Sequence, residues 1–461
     1  MSKTRLFDLL VRLIDGGTQS QFNLLFHKYH EADIADSLEL LSSEQRTRFF
    51  TMFKPKDSVD IFEEMDLDSK IEVINSFKVE SAAELIERMD KDDAVDLLDA
   101  LLDEDESNTQ IILGKMEISD QIELRKLLKY TNDTAGTLMT TDYISIPEKL
   151  TVKEALKLYK EKMPEENDAA FYLFIVNENN QIQGVISLRT LLLSPENKYV
   201  KEIRNDYPIT VHVDNDQEEV AKIFQKYRSI VLPVVDDMNI VLGVITVDDI
   251  VNVVIEEASE DILKLSGASG DDLQSTKLIE GDIWYALVHR LPWLGVTIIG
   301  GVIASYIMII FSKVINKGLI SLSLVLSFVP LLMGLAGNIG NQSATILVRA
   351  FAISDVKISK RLTIVFREIL IGGCIGTLIG LIVGSFVWFS TGNGIFAVCI
   401  IVAIFLNMTI AALFGASLPV IFKQLNIDPA VASAPFISTS LDIIGQLIYY
   451  IIVIVLLQIF I

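Results

Sequence analysis

Five long apolar stretches lie between residues 291 and 460, and they constrain the fold more than any other feature of the chain. Each is near or above the ~20 residues that an α-helix needs to cross a bilayer. Backbone polar groups inside a bilayer must be satisfied within the segment, so the sequence predicts five membrane-spanning helices. The predicted spans are 291–311, 319–348, 369–389, 395–421 and 435–460.

The charge of the chain is divided unevenly. Residues 1–280 hold 30 Lys/Arg and 56 Asp/Glu, a net charge of −26, whereas residues 281–461 carry nine and five, a net charge of +4. A strongly negative soluble part argues against nucleic acid and anionic lipid as partners and favours cations. An acidic surface that only promotes solubility explains the same composition.

The basic residues of the loops between the spans predict the orientation of the chain. Most of them follow the second span, one follows the fourth, and the opposite side of the membrane has only Lys313 and Lys317. Positive loops stay in the cytoplasm, so we expect a multi-pass plasma-membrane protein with a cytoplasmic N-terminal part and its C-terminus outside. The basic residues on the cytoplasmic side are Arg349, Lys357, Lys360, Arg361, Arg367 and Lys423.

Three stretches repeat at intervals of 24 residues near the N-terminus. They are "ADSLELLSSEQ" from Ala35, "VDIFEEMDLDS" from Val59 and "AELIERMDKDD" from Ala83. Each places apolar residues at helical spacing before a polar turn and a second short helix. We predict an α-helical solenoid of helix pairs as the N domain, residues 1–130.

Two β-rich units of similar pattern follow, at 131–198 and 199–258. Their cores are "IVNENNQIQGVIS" and "PVVDDMNIVLGVIT", in which polar turn residues separate Val/Ile runs and a Gly opens the second strand. The units resemble a tandem pair of CBS domains, an α+β fold. A charged connecting (plug) helix and linker, 259–285, then leads to the transmembrane domain with five spans, 286–461, and completes a multidomain membrane protein.

Two predicted spans have compositions that need an explanation. Span three places Gly372, Gly376, Gly380 and Gly384 at four-residue intervals, which is typical of close helix packing and indicates no chemistry. Span two holds "SFVPLLMGLAGNIGNQSATILVR", whose glycines weaken the helix and whose polar side chains lie at membrane depth. Such groups are costly unless they pair with protein or face water, so this span is either a packed, kinked helix or a pore-lining segment.

Span five contains a single carboxylate, Asp442, with no basic residue beside it. An acid inside the membrane is paired, protonated or facing a cation pathway. The basic residues of the membrane part lie at span ends, so an ion pair has no candidate. Two alternatives stay open: Asp442 is protonated or bonded to a hydroxyl group, or it faces a cation pathway.

The stretches "PLLMGLAGNIGNQSATILVR" and "DPAVASAPFISTSLDIIGQLIYY", with the acidic helix after two CBS units, resemble the MgtE family of magnesium channels and transporters. The resemblance covers nearly the whole chain. It implies a homodimer with an ion pathway along its two-fold axis, lined by spans two and five. The pathway positions that it implies are Asp442 for selectivity, Gly337, Asn338 and Asn341 around the hydrated ion, and Asp428 near the cytoplasmic mouth, where a plain helix N-cap explains it equally well.

The resemblance also implies a cytosolic sensor, whose acids bridge the domains through Mg²⁺. Bare acidic surfaces repel and hard cations bridge them, so bound Mg²⁺ would close the pore. The metal-bridging positions are Asp60, Asp92, Asp96, Asp216, Asp249, Glu257, Glu260 and Asp261. Arg228, Asn252 and Ser312 depart from acids found in the family, and Thr190 replaces an acid that meets a nucleotide ribose, so ATP at the CBS pair stays an open expectation.

We therefore expect a protein that mediates Mg²⁺ uptake down its electrochemical gradient and is gated closed by cytosolic Mg²⁺. The alternatives are a broader divalent cation transporter for Mn²⁺ or Co²⁺ and a membrane-anchored CBS nucleotide sensor. Softer metals favour His or Cys ligands, which spans two and five lack. We do not expect an enzyme, because the sequence shows no nucleophile and base pair, metal triad or phosphate loop.

Overall fold

The computed structural model of the chain describes residues 3–131, 133–162, 171–205, 208–268, 283–315, 321–353, 358–425 and 427–460. The chain divides into two units, Met1–Val253 and Val254–Ile461. The first unit contains helices followed by two small sheets, and the second is helical.

The N-terminal helices confirm the 24-residue repeat. The apolar residues that set its helical spacing are buried, among them Leu38, Phe62 and Ile86 at 0% exposure. Three helix pairs follow one another, α3 with α4, α5 with α6 and α7 with α8, and α8 is broken at Asp105 by non-helical dihedrals. The helices are α1 (Lys3–Gly16), α2 (Gln19–Phe26), α3 (Glu31–Glu39), α4 (Ser43–Thr51), α5 (Val59–Glu63), α6 (Leu67–Ser76), α7 (Val79–Ile86), α8 (Lys91–Leu113) and α9 (Ile118–Leu127), with a 3₁₀ turn at Pro55–Asp57.

A glutamate in each repeat binds the start of a later helix, α6, α8 and α9 in turn. The Glu39 Oε1 atom accepts a hydrogen bond from the Asp66 backbone N–H at 2.8 Å, and Glu63 accepts one from the Asp90 N–H at 2.6 Å. The Glu87 carboxylate accepts the corresponding bond from Glu117. Backbone N–H groups at a helix N-terminus lack partners within the helix, so these bonds join successive repeats.

Each of the two CBS units contains a three-stranded sheet of the same topology. In the first, β1 (Ile144–Pro147) pairs parallel with β2 (Tyr172–Val176), which pairs antiparallel with β3 (Ile182–Ser187). The second repeats this order with β4, β5 and β6, where β4 is Val211–His212, β5 is Val231–Val235 and β6 is Val241–Thr246.

The glycine that opens the second hairpin strand of each unit permits another backbone to approach. A β-carbon on Gly184 would lie 2.6 Å from the Asn205 carbonyl oxygen, and one on Gly243 would lie 2.6 Å from that of Thr140. Both positions therefore require glycine. The helices of this region are α10 (Val152–Lys162), α11 (Leu188–Leu193), α12 (Gln217–Tyr227) and α13 (Val247–Ser266), with a 3₁₀ turn at Val200–Glu202. Helix α13 is continuous across the predicted boundary at residue 258.

The second unit confirms the five predicted spans. Among the described residues, five helices are long and apolar enough to cross a membrane. Span one begins earlier than predicted and contains Pro292. The spans are span one (Ile283–Ile315), span two (Leu322–Ser327 and Val329–Ile353), span three (Ile358–Thr391), span four (Gly394–Gln424) and span five (Ala434–Phe460), with a 3₁₀ turn at Pro429–Val431.

Span four is the most buried of the five spans and packs against spans two, three and five. The glycines of span three meet it closely, which confirms their packing role. A β-carbon on Gly372 would lie 2.8 Å from the Met408 carbonyl oxygen, and one on Gly380 would lie 3.0 Å from that of Ile401. The small-residue stripe thus lets two helix backbones touch.

Candidate ion pathway and acidic cluster

A hydrogen bond joins spans two and five one turn before Asp442. The Asn341 Nδ2 atom donates to the Ser438 hydroxyl at 3.0 Å, and Gly337 lies beside the same hydroxyl. The Asn341 Oδ1 atom is buried and has no hydrogen-bond partner among the described residues. An acceptor left open at membrane depth is suited to water or an ion's hydration shell.

Asp442 lies on span five one turn beyond Ser438, and its side chain is partly exposed. Within the ranges that the structure describes, no basic side chain forms an ion pair with it. Four of the predicted pathway positions, Gly337, Asn338, Asn341 and Asp442, therefore belong to the two spans that Ser438 joins. The carboxylate is accessible to a cation from outside the chain.

One face of span two carries polar side chains that the chain leaves uncovered. Asn338, Gln342 and Thr345 follow one another at helical spacing, and all three are exposed. Lipid cannot hydrogen-bond these groups. The face therefore requires either a protein partner or water.

Asp428 lies apart from this group, in the turn that precedes span five. Its Oδ1 atom caps that turn by accepting from the Ala430 N–H at 2.8 Å. Its Oδ2 atom accepts a hydrogen bond from the Lys264 ammonium at 2.8 Å, and Lys264 also pairs with Glu260 at 2.5 Å. These two acidic partners raise the pKa of Lys264 despite its partial burial. The structure thus gives Asp428 the N-cap role, and a role in the pathway stays a prediction.

Several polar residues of the membrane part were not identified from the sequence. Glu368 of span three is 6% exposed and accepts a hydrogen bond from the Ser343 hydroxyl at 3.0 Å. Asn407 of span four is 2% exposed and donates to the Leu332 carbonyl oxygen at 3.2 Å. A carboxamide in the mostly apolar span four is a signal that the sequence offered.

In the first unit the structure brings Asp92 of α8 and Asp249 of α13 together. The Asp92 Oδ1 atom is buried without a hydrogen-bond partner among the described residues. Burial and the neighbouring Asp249 charge raise the pKa of Asp92 well above its usual range. Burial likewise raises the pKa of Asp249 to about 7, although the Thr246 hydroxyl donates to its carboxylate at 2.5 Å. Two enclosed carboxylates with so few hydrogen bonds to stabilise their charges are suited to bind a cation.

The cluster includes further acids that the sequence did not single out. Burial raises the pKa of Glu63 to about 8 and that of Asp90 to about 6, and nearby carboxylates add to both shifts. Glu63 occupies the repeated glutamate position, so the 24-residue repeat could have identified it. The remaining acids whose charges act on this cluster are Asp60, Asp93, Asp142 and Asp248.

The other predicted metal-bridging acids lie on α8, at the N-cap of α12 and on α13. Asp96 is exposed on α8, and Asp216 caps α12 by accepting from the Glu218 N–H at 2.9 Å. Glu257, Glu260 and Asp261 lie in sequence on α13. Among the described residues, no three His, Cys, Asp or Glu side chains are arranged to hold a metal ion.

Three of the four departures from the family pattern have local structural roles. Arg228 ends α12 in the left-handed conformation, with φ of 52°. The Thr190 N–H donates to the Ser187 hydroxyl at 3.1 Å and so completes the cap of α11. The Ser312 hydroxyl bonds to the Ile309 carbonyl oxygen of its own helix at 2.8 Å. Asn252 is exposed on α13.

Five spans, a polar second helix and a carboxylate without an ion-pair partner among the described residues, in a chain whose N-terminal part is acidic, are typical of a membrane transporter of cations. Comparison with known protein families supports this class. A model described as a divalent cation transporter matches residues 329–452, an MgtE intracellular N domain matches 29–133, and CBS domains match 135–196 and 200–256. The chain belongs to the MgtE family. A transporter family is not an enzyme family, which confirms that prediction.

Proteins similar to this chain include two magnesium transporters. The magnesium transporter MgtE of Thermus thermophilus is 34% identical over 351 residues, which is 76% of each chain, and that of Bacillus subtilis is 33% identical over 342 residues, or 73% of each chain. A crystal structure of the soluble part of a magnesium transporter is 31% identical and has a TM-score of 0.51, covering 56% of this chain and 100% of that one.

Proposed function

We propose that this protein mediates Mg²⁺ uptake across the plasma membrane, down the electrochemical gradient, through a pathway formed by spans two and five. The observation that carries the proposal is the Asn341 to Ser438 hydrogen bond, which holds the two spans together beside the unpaired carboxylate of Asp442. Family membership and relatives named magnesium transporters support Mg²⁺ as the transported ion.

The chemistry of the two spans favours a hard, hydrated cation. Spans two and five contain no His or Cys, the ligands that softer metals prefer. Mg²⁺ gives up its water reluctantly and accepts oxygen contacts through its hydration shell. The carboxylate of Asp442 and the unpartnered Oδ1 atom of Asn341 are oxygen groups that can accept hydrogen bonds from such a shell.

The pathway is completed in a homodimer. The uncovered polar face of Asn338, Gln342 and Thr345 cannot face lipid, and a second copy of the chain related by a two-fold axis would enclose it around water. Two Asp442 carboxylates would then give a site of charge −2 at one level of the membrane. That charge matches a divalent cation without requiring a basic partner.

The basic loops support the orientation predicted from sequence. With the N domain and CBS units in the cytoplasm, five spans place the C-terminus outside. Asp428 and Lys264 then lie on the cytoplasmic side, where span five begins.

The acidic cluster supplies regulation by the transported ion. When Mg²⁺ is scarce, the enclosed carboxylates of Asp92 and Asp249 repel each other, and a bound divalent cation removes that repulsion. Helix α13 carries Asp249 near its start and Lys264 near its end. Lys264 pairs with Asp428 in the turn before span five, so a cation bound at Asp249 acts on the helix that contacts this turn. Cytosolic Mg²⁺ would thereby hold the pathway closed.

The transport proposal is tested by Asp442→Asn in a strain that lacks other Mg²⁺ importers. The variant keeps the side-chain volume and removes the charge, so we expect Mg²⁺ uptake to be abolished. Glu368→Gln is the matched control, because it neutralises the other acid of the described spans and retains an acceptor for Ser343. We expect it to grow as the wild type does.

Uptake is measured with Mg²⁺ alone and with Mn²⁺ and Co²⁺ as competitors. Wild-type uptake by Asp442→Asn at wild-type expression would overturn the pathway assignment. Equal uptake of all three ions by the wild-type protein would favour the broader divalent transporter.

A further inference from the structure

Span four has one buried face that contacts both pathway helices. The face consists of Asn407, Ala411 and Gly415, at four-residue intervals, and is called the span-four face here. Asn407 is 2% exposed, Ala411 is 0% exposed and Gly415 is buried. The span contains no acidic residue, and its one basic residue, Lys423, lies in the last turn, so charge gives no reason to assign it to the pathway.

Asn407 is held between spans two and five. Its Nδ2 atom donates to the Leu332 carbonyl oxygen of span two at 3.2 Å. On the other side, a β-carbon on Gly445 of span five would lie only 2.7 Å from the Asn407 Oδ1 atom. Gly445 is three residues beyond Asp442, so the carboxamide contacts the helical turn that follows the pathway acid.

The rest of the span-four face makes backbone contacts at a second level. Gly415 packs directly on the backbone of Gly340 in span two, where a β-carbon would lie 2.8 Å from the Gly340 Cα atom. A β-carbon on Gly340 would in turn overlap Leu441 and lie 3.6 Å from the Ala411 carbonyl oxygen. Leu441 precedes Asp442, so spans two, four and five meet on both sides of the pathway acid.

Contacts at two levels fix both the rotation and the depth of a helix, whereas one contact leaves it free to pivot. A site that tells hydrated cations apart depends on positions held to within about 0.5 Å. A buried carboxamide that is hydrogen-bonded to a neighbouring helix is a common means of fixing such positions in membranes.

We propose that Asn407 is a positioning residue, which sets the placement of Asp442 relative to span two and thereby the preference of the pathway for Mg²⁺ over larger divalent cations. The inference rests on the proposed function of spans two and five. It assigns a role in selectivity to a helix that does not line the pathway.

The test uses full-length protein in proteoliposomes, with Mg²⁺ influx measured alone and against Ca²⁺. Asn407→Leu keeps the branching and the number of heavy atoms of the side chain and removes the donor. We expect the preference for Mg²⁺ over Ca²⁺ to fall by about three- to tenfold, the range that one interhelical hydrogen bond corresponds to. The control is Thr409→Val, because the Thr409 hydroxyl bonds to Phe405 of its own helix and faces span three. It should retain wild-type preference.

Adding side-chain volume at Gly445 and removing it at Asn407 separates a positioning role of Asn407 from a general loss of stability. Gly445→Ala pushes against the Asn407 carboxamide and should also reduce the preference. Adding Asn407→Ala relieves that overlap and should restore part of it. Wild-type selectivity in both Asn407→Leu and Gly445→Ala would overturn the proposal, as would a double variant that is worse than either single one.

A geometric measurement makes the inference independent of transport. Asn341→Cys and Ser438→Cys, introduced with Cys374→Ser and Cys399→Ala, place two thiols where the interspan hydrogen bond lies. We expect oxidation to cross-link them several-fold more slowly when Asn407→Leu is added, with mass spectrometry as the readout. Equal rates would overturn the positioning role even if the wild-type protein proved not to transport Mg²⁺, an outcome that would overturn only the proposed function.

Discussion

The acidic cluster brings charged groups close together, whereas the membrane helices bring uncharged backbones close together. In the cluster, Glu63, Asp90, Asp92 and Asp249 lie together with raised pKa values, because burial and like charges disfavour their ionised forms. In the membrane part, the glycines of span three and the span-four face bring backbones into contact without charge. The stability of the acidic cluster depends on neutralisation of its carboxylates. The stability of the membrane part depends on side chains small enough to let the helices pack. Each should therefore respond to a different perturbation.

The largest effect is expected where two enclosed charges are removed together. Asp92→Asn with Asp249→Asn relieves the repulsion that Mg²⁺ would otherwise neutralise. In the wild type, we expect millimolar Mg²⁺ to slow proteolysis within residues 1–268 by at least tenfold. The double variant should be slow to cleave with or without Mg²⁺.

Asp103→Asn with Asp237→Asn changes the net charge equally at exposed sites and should keep the Mg²⁺ response. Limited proteolysis of the full-length protein in detergent makes the comparison. A double Asp92 and Asp249 variant that still requires Mg²⁺ for protection would remove the cluster from the sensor.

Glu63→Gln should show the pH dependence of the cluster. The folded pKa of about 8 exceeds the ordinary 4.5, so the folded chain binds more protons between these values. The stability from this group is complete below pH 4.5 and is lost as pH rises through 8. The wild type should therefore lose stability between pH 5 and 9 in Mg²⁺-free buffer, by at most about 5 kcal/mol from this group.

Thermal unfolding of the full-length protein should show Glu63→Gln equal to the wild type at pH 5 and more stable at pH 9. The neighbouring Glu64 is exposed, and Glu64→Gln should follow the wild-type curve. Parallel curves for Glu63→Gln and the wild type would show that burial of this carboxylate has no energetic consequence.

The smallest effect is expected from the membrane part, where adjacent glycines provide a matched pair. Gly372→Ala forces a methyl group to within 2.6 Å of the Ala412 β-carbon, whereas the same change at Gly373 meets nothing closer than 3.5 Å. Overpacking of this kind costs about 1–3 kcal/mol. The midpoint of unfolding in detergent should fall for Gly372→Ala only.

This loss should be the same at pH 5 and pH 9 and with or without Mg²⁺, because no charge takes part. A loss that varies with either would contradict the distinction between the two regions.

Periodicity in the sequence determined much of the architecture. The 24-residue repeat predicted the helix pairs, the Val/Ile runs predicted the two sheets, and apolar length predicted five spans, because each pattern follows from the local geometry of a helix or strand. The four-residue glycine spacing likewise predicted a packed helix face. Asp442 stood out because an isolated charge among apolar residues needs no tertiary information to be noticed.

The tertiary structure alone decided which groups meet. It placed Glu63 and Asp90 beside the predicted Asp92 and Asp249, gave Asp216 the cap of α12, and gave both oxygens of Asp428 to Ala430 and Lys264. It also placed Asn407 between the two pathway helices. Sequence patterns report which face of a helix is apolar. Contacts between residues far apart in the sequence depend on how the helices pack, and that packing gives the Asn407 carboxamide its role.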